Sequence, residues 1–130
     1  MDNLTIEELR HKILLRLFSG RIFEENHFNY QKLLKRVVYI TNELLQELDF
    51  DNVWVRFRGE KIFLFNLPTN RIIFEIILDG TKEEGKISQP NILFSNLKGQ
   101  VNNSLTLKQI IADVEKLGKK GKNGKRNNQR

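Results

Sequence analysis

The sequence predicts an α+β fold, because helix signals and strand signals fall into separate blocks instead of alternating along the chain. Two capping-box signatures, Thr5-Ile6-Glu7-Glu8 and Thr106-Leu107-Lys108-Gln109, open amphipathic runs near the two ends of the sequence. Between them, "NVWVRFR", "KIFLFN" and "RIIFEIIL" are short runs of β-branched and aromatic residues bounded by turn formers. The expected architecture is an N-terminal αα-hairpin, a three- to four-stranded antiparallel β-meander, a C-terminal helix and a disordered basic tail. Residues 1–117 are expected to form a single domain, since 130 residues bury enough surface for one core and call for no second.

The first helix is expected from Ile6, with Leu4 and Leu9 as its hydrophobic staple, and Ser19-Gly20 stops it. Ile6, Leu9, Ile13, Leu14 and Leu17 recur at helical spacing. A second helix is expected from about Asn29 to about Asp49, carrying Leu33, Leu34, Val37, Val38, Leu44, Leu45 and Leu48. The stretch "RIFEENHFN" joins the two as a connector whose Ile22, Phe23 and Phe28 should tuck beneath them. The three strands follow, with breaks at Gly59-Glu60, Leu67 to Asn70 and Asp79-Gly80. After a charged loop, "DGTKEEGK", the run "NILFSN" is a candidate fourth strand. The last helix carries Leu107, Ile110, Ile111, Val114 and Leu117 on one side, has Leu105 and Ile110 as its staple, and ends at Gly118 as C′ residue.

If Gly59-Glu60 is a two-residue type II′ loop, Arg58 lies opposite Lys61 and the rest of the pairing follows. One face of the ribbon then presents Trp54, Arg56, Arg58, Lys61, Phe63 and Phe65, and the other Val53, Val55, Phe57, Ile62 and Leu64. A four-residue loop from Leu67 to Asn70 would place Ile72, Phe74, Ile76 and Leu78 on the aromatic face, although one residue of slip would reverse that strand.

Charge divides the chain sharply. Of 22 Lys and Arg, seven lie from Lys116 onward, where there is no Asp or Glu, leaving 15 basic against 16 acidic groups in residues 1–115. The net charge is thus about −1 in the first part and +7 in the second. The tail, with Lys119, Lys120, Lys122, Lys125, Arg126 and Arg130 among three glycines, has too little apolar surface to offset the entropy of ordering it. No Cys is present, which excludes disulfides and thiolate metal sites and permits a reducing compartment. The opening residues lack a signal-peptide pattern and no apolar run reaches the roughly 20 residues of a membrane span. A cytoplasmic, soluble protein is expected.

Catalytic signatures are almost absent. His11 and His27 have no ligand partner at a useful spacing and read as surface histidines. The acid pairs Glu7/Glu8, Glu24/Glu25 and Glu83/Glu84 are adjacent in sequence, and on a helix neighbours diverge by about 100° instead of forming an opposed pair. Asp79 with Glu84-Gly85-Lys86 resembles a metal-dependent nuclease pattern only in order, because the acids fall in an expected loop. No phosphate-cradling glycine motif is present. No enzyme activity, cofactor or metal is therefore expected.

Two features point to binding. Aromatic residues alternating with cations on strands, here Trp54, Phe63 and Phe65 with Arg56, Arg58 and Lys61, are the chemistry of single-strand stacking platforms. The same side chains also suit a sheet covered on both faces, by helices on one side and a helix or partner subunit on the other, and the lack of excess positive charge before residue 116 favours that reading. The tail suits nonspecific phosphate contact, an acidic protein partner or an anionic surface. The expected function is a small non-catalytic binding protein associated with nucleic acid through its tail. The alternative is a protein-interaction or assembly module, such as a homodimer, with an incidental tail.

Overall fold

The computed structural model describes residues 4–18, 27–96 and 104–116. In chain order these form α1 (Ile6–Leu17), β1 (His27–Asn29), α2 (Tyr30–Glu47), β2 (Val53–Arg58), β3 (Lys61–Asn66), β4 (Arg71–Glu83) and β5 (Lys86–Ser95), followed by helix α3 over residues 107–116. The fold is α+β, with every strand pair antiparallel in one five-stranded sheet ordered β1-β5-β4-β3-β2. No helix among the described residues is long and apolar enough to cross a membrane. The expected tail and the connector residues Ile22 and Phe23 lie outside the described residues.

Both capping boxes form as their spacing dictates. The Glu8 N–H donates to Thr5 Oγ1 at 3.1 Å and the Thr5 N–H to Glu8 Oε1 at 3.2 Å. At α3 the Gln109 N–H donates to Thr106 Oγ1 at 3.1 Å and the Thr106 N–H to Gln109 Oε1 at 3.0 Å. The two helix starts are also joined to each other. The Ile6 N–H donates to Leu105 O at 2.9 Å, and the Leu107 N–H to Leu4 O at 2.8 Å. Each first-turn amide, which no helix can satisfy internally, thus uses a carbonyl just outside the other helix.

Helix α2 starts at Asn29, whose side chain accepts from the Lys32 N–H at 2.9 Å. It ends in a Schellman motif, in which Phe50 N–H reaches Leu45 O at 2.8 Å and Asp49 N–H reaches Gln46 O at 3.1 Å. Asp49 takes the left-handed conformation (φ 64°) that this motif requires. Arg16 ties α1 to α2 through Glu43 at 2.9 Å and Glu47 at 2.8 Å. Its hydrogen bond holds the Glu47 carboxyl below the ordinary range. The small stabilisation from that pair is complete above the ordinary range and is lost as pH falls through the depressed folded value.

Three sequence expectations are corrected. First, residues 27–29 of the connector form an edge strand, β1, paired with β5 through Phe28 opposite Ile87. The sheet therefore has five strands, not three or four. Phe28 packs partly buried against the core, as expected. Second, the charged stretch from Asp79 to Lys86 is not a loop. It is the tip of the β4–β5 hairpin, closed by a two-residue type I′ turn in which Glu84 (φ 52°) and Gly85 (φ 77°) both have positive φ. Third, the loop from Leu67 to Asn70 has the expected four residues, but the β3–β4 ladder shifts between Leu64 and Phe65. Ile72 stays opposite Phe65, whereas Phe74 and Ile76 come opposite Leu64 and Ile62. Phe74, Ile76 and Leu78 are thereby turned to the core, not to the aromatic face.

One core cluster joins Leu9, Ile13 and Leu17 of α1, the apolar side of α2, and Leu107 and Ile110 of α3 to the inner face of the sheet. That face contributes Val53, Val55, Ile62, Leu64, Phe74, Ile76, Leu78, Ile92 and Phe94. All three helices therefore serve the same side of the sheet.

Candidate functional site

The outer face of the sheet is built from the β2–β3 ribbon. Gly59 takes φ +67° while Glu60 is not among the residues of positive φ, the type II′ pattern, and Arg58 pairs with Lys61 as the sequence predicts. The pairs Arg56–Phe63 and Trp54–Phe65 follow in register. Arg56, Arg58 and Lys61 are exposed, and Trp54 and Phe63 are half-buried. Phe65 is 9% exposed, with its ring edge-on to Phe63 at 6.2 Å between centroids and 72° between planes.

Strand β4 extends this face with Ile72 opposite Phe65 and Glu75 opposite Phe63. Ile77 on β4 pairs with Leu93 on β5, one step from the core pair Ile76–Phe94 and hence on the outer side. Ile72, Glu75, Ile77 and Leu93 are half-buried. None of the outer apolar side chains belongs to the core cluster, and Trp54, at the β2 edge, borders α2 across a groove. The three described helices join the core cluster on the inner side, which is the helix-covered face the sequence predicts, and the expected cover of the other face, a helix or a partner subunit, is not part of that cluster.

Across the middle of this face runs the row Arg56, Phe63, Glu75, set by the two registers. The opposite charges stand two strand spacings apart, about 9.5 Å, with the Phe63 ring between them. The ion pairs among the described residues are Arg10–Glu7, Arg16–Glu43 and Arg16–Glu47, so Arg56, Arg58, Lys61 and Glu75 have no charged partner there.

The free edge of β2 is closed to further strands at its centre. Asn42 of α2 donates from Nδ2 to Val55 O at 3.0 Å and accepts from the Val55 N–H at 2.7 Å, imitating a neighbouring strand. Sequence reading missed this residue. The available signal was an Asn inside an apolar-periodic helix, where it is a poor helix former without a specific partner. Beside it, Val38, Tyr39, Asn42 and Trp54 help to line a groove of about 390 Å³, in which Tyr39 is 68% exposed.

Of the expected site residues, the structure brings Trp54, Arg56, Arg58, Lys61, Phe63 and Phe65 onto one face. Lys119, Lys120, Lys122, Lys125, Arg126 and Arg130 lie outside the described residues. Asp79 is on β4 and Glu84 is in the hairpin turn, roughly 15 Å further along the strand, so the nuclease-like acids are not brought together. Among the described residues no three of His, Cys, Asp and Glu are grouped as metal ligands. His11 is exposed and His27 sits in β1 opposite Ser88. Comparison with protein-family models, curated proteins and solved structures returns no match.

Proposed function

We propose that this chain is a small non-catalytic cytoplasmic binding protein, whose ordered domain makes protein contacts through the outer sheet face and whose basic tail associates with nucleic acid. The observation that carries the first half is the set of half-buried apolar side chains, Trp54, Phe63, Ile72, Ile77 and Leu93, gathered on the outer side of the sheet and outside the core cluster. Apolar side chains gathered on one partly open face outside the core suit a protein-docking surface. Base stacking is the weaker use of it. Glu75 stands directly beside Phe63 where a phosphate or base would lie, the aliphatic members offer no planar surface, and residues 1–115 carry no excess positive charge.

The second half rests on the seven cations from Lys116 onward, which can displace counterions from phosphates without a folded site. A labelled single-stranded oligonucleotide titrated with the full chain and with a chain ending at Leu117 tests it. The full chain should bind with a log–log salt slope no steeper than about −5, from roughly 0.7 per neutralised phosphate, and the shortened one should lose binding. Binding that survives high salt or the truncation sinks the tail reading. Trp54 is the sole tryptophan, so its emission reports the face in the same titration. Quenching by the oligonucleotide would move the nucleic acid from the tail to the sheet.

A further inference from the structure

We infer that the occupant of the outer sheet face is a second copy of this chain, laid face to face about a two-fold axis running along β3 at Phe63. The inference rests on reading that face as a protein-docking surface, and it follows from the registers. A two-fold axis along β3 exchanges β2 of one copy with β4 of the other, because these strands flank β3 on its two sides. Phe63 then meets its own counterpart. Arg56, opposite Phe63 on one side, falls on the second copy's Glu75, which is opposite Phe63 on the other side.

One row away, Trp54 and Ile72 both pair with Phe65, so Trp54 falls on the second copy's Ile72. The face is thus its own complement. Aromatic and aliphatic side chains meet in the middle, and each copy's unpaired Arg56 finds the other's unpaired Glu75, as an isologous interface requires. The same operation brings Lys61 to its own counterpart and Arg58 over the second copy's Ile77, at the hairpin end of the face. Lys61 and Arg58 are exposed there, and their long stems carry the charges out to water. Sheets packed in this way stand about 10 Å apart with side chains interleaved, which Phe63 and Trp54 are large enough to fill. Pairing through the β2 edge is one competing route to a symmetric dimer, and Asn42 occupies the Val55 backbone groups that route would need.

Charge reversal tests the arrangement on the full chain. Sedimentation equilibrium should show a dimer, and Arg56→Glu or Glu75→Arg alone should each weaken it at least about tenfold, since each places two like-charge contacts in one interface. Mixing the two variants should restore association to within about threefold of the parent, because only the mixed dimer holds an opposite-charge pair at both sites. Trp54 emission should shift to the red as the parent dimer dissociates. A parent protein that stays monomeric at about 100 µM, weaker than any specific dimer of standard interface size, overturns the choice of a second copy and leaves the face open to another protein. A dimer that survives both reversals with unchanged Trp54 emission overturns the face itself as the contact surface. Failure of the mixture to recover overturns the two-fold pairing of Arg56 with Glu75.

Discussion

Phe94→Ala is expected to lower stability by about 3–5 kcal/mol, enough to unfold much of a domain of ordinary stability at 37 °C. Phe94 is fully buried, lies opposite Ile76 in the sheet, and meets the ring of Phe74 edge-on at 6.4 Å and 84°. Truncation removes its apolar surface from burial, leaves a cavity between the sheet and the helices, and breaks the ring pair. The matched change on the other side, Phe63→Ala, should cost only about 1 kcal/mol, because Phe63 is half-buried and outside the core cluster. Denaturant unfolding at concentrations too low for self-association separates the two. Equal losses would show that the outer face is a closed core within one chain.

Gly80→Ala should be nearly as damaging, at about 2–4 kcal/mol, although it adds one carbon. A Cβ at Gly80 would stand 2.8 Å from Ser88 O and 2.9 Å from Ile87 Cγ1, and the residue has φ +154°. The carbonyl belongs to the opposing strand where the β4–β5 ladder shifts between Asp79 and Thr81, so relief requires the two strands to part. Gly59→Ala is the control. Nothing lies within 4 Å of its added carbon, and only its positive φ is strained, at roughly 1–2 kcal/mol. Melting temperatures should fall in the order parent, Gly59→Ala, Gly80→Ala. Coincident melts for the two variants would mean that the strands adjust freely around Ser88.

How much of this was legible in the residues depended on how locally each element is decided. Thr5 with Glu8 and Thr106 with Gln109 are contacts three residues apart, so their spacing alone gave the helix starts. The β2–β3 register was legible for the same reason, since a two-residue turn at Gly59 leaves one pairing. In "RIIFEIIL" the pattern fails, because Ile72, Ile73, Phe74, Ile76 and Ile77 are apolar whichever face they take, and the ladder shift beside Phe65 decides. Strand β1 has only three residues, too few for any period, and exists through its partner Lys86 to Ser88. The tip of the β4–β5 hairpin is mostly charged residues and glycine, so its order comes from backbone pairing that composition does not announce. For the candidate face, the alternation of aromatic and basic residues was visible. That Glu75 completes its central row, and that every described helix packs on the other side, required the strand order.

The reciprocal hydrogen bonds between the starts of α1 and α3 bear on the order in which a growing chain can fold. Helix α1 is made before α3, yet its first amide has only water to bond until Leu105 has left the ribosome. Strand β1 waits likewise for residues 86–88, some sixty positions later. The apolar stripe and start of α1 therefore wait through about a hundred further residues of synthesis, and the domain closes in a late step that joins α1 to α3. Nascent chains that have not yet made α3 leave the part of the core filled by Leu107 and Ile110 as bare apolar surface, open to chaperones and proteases.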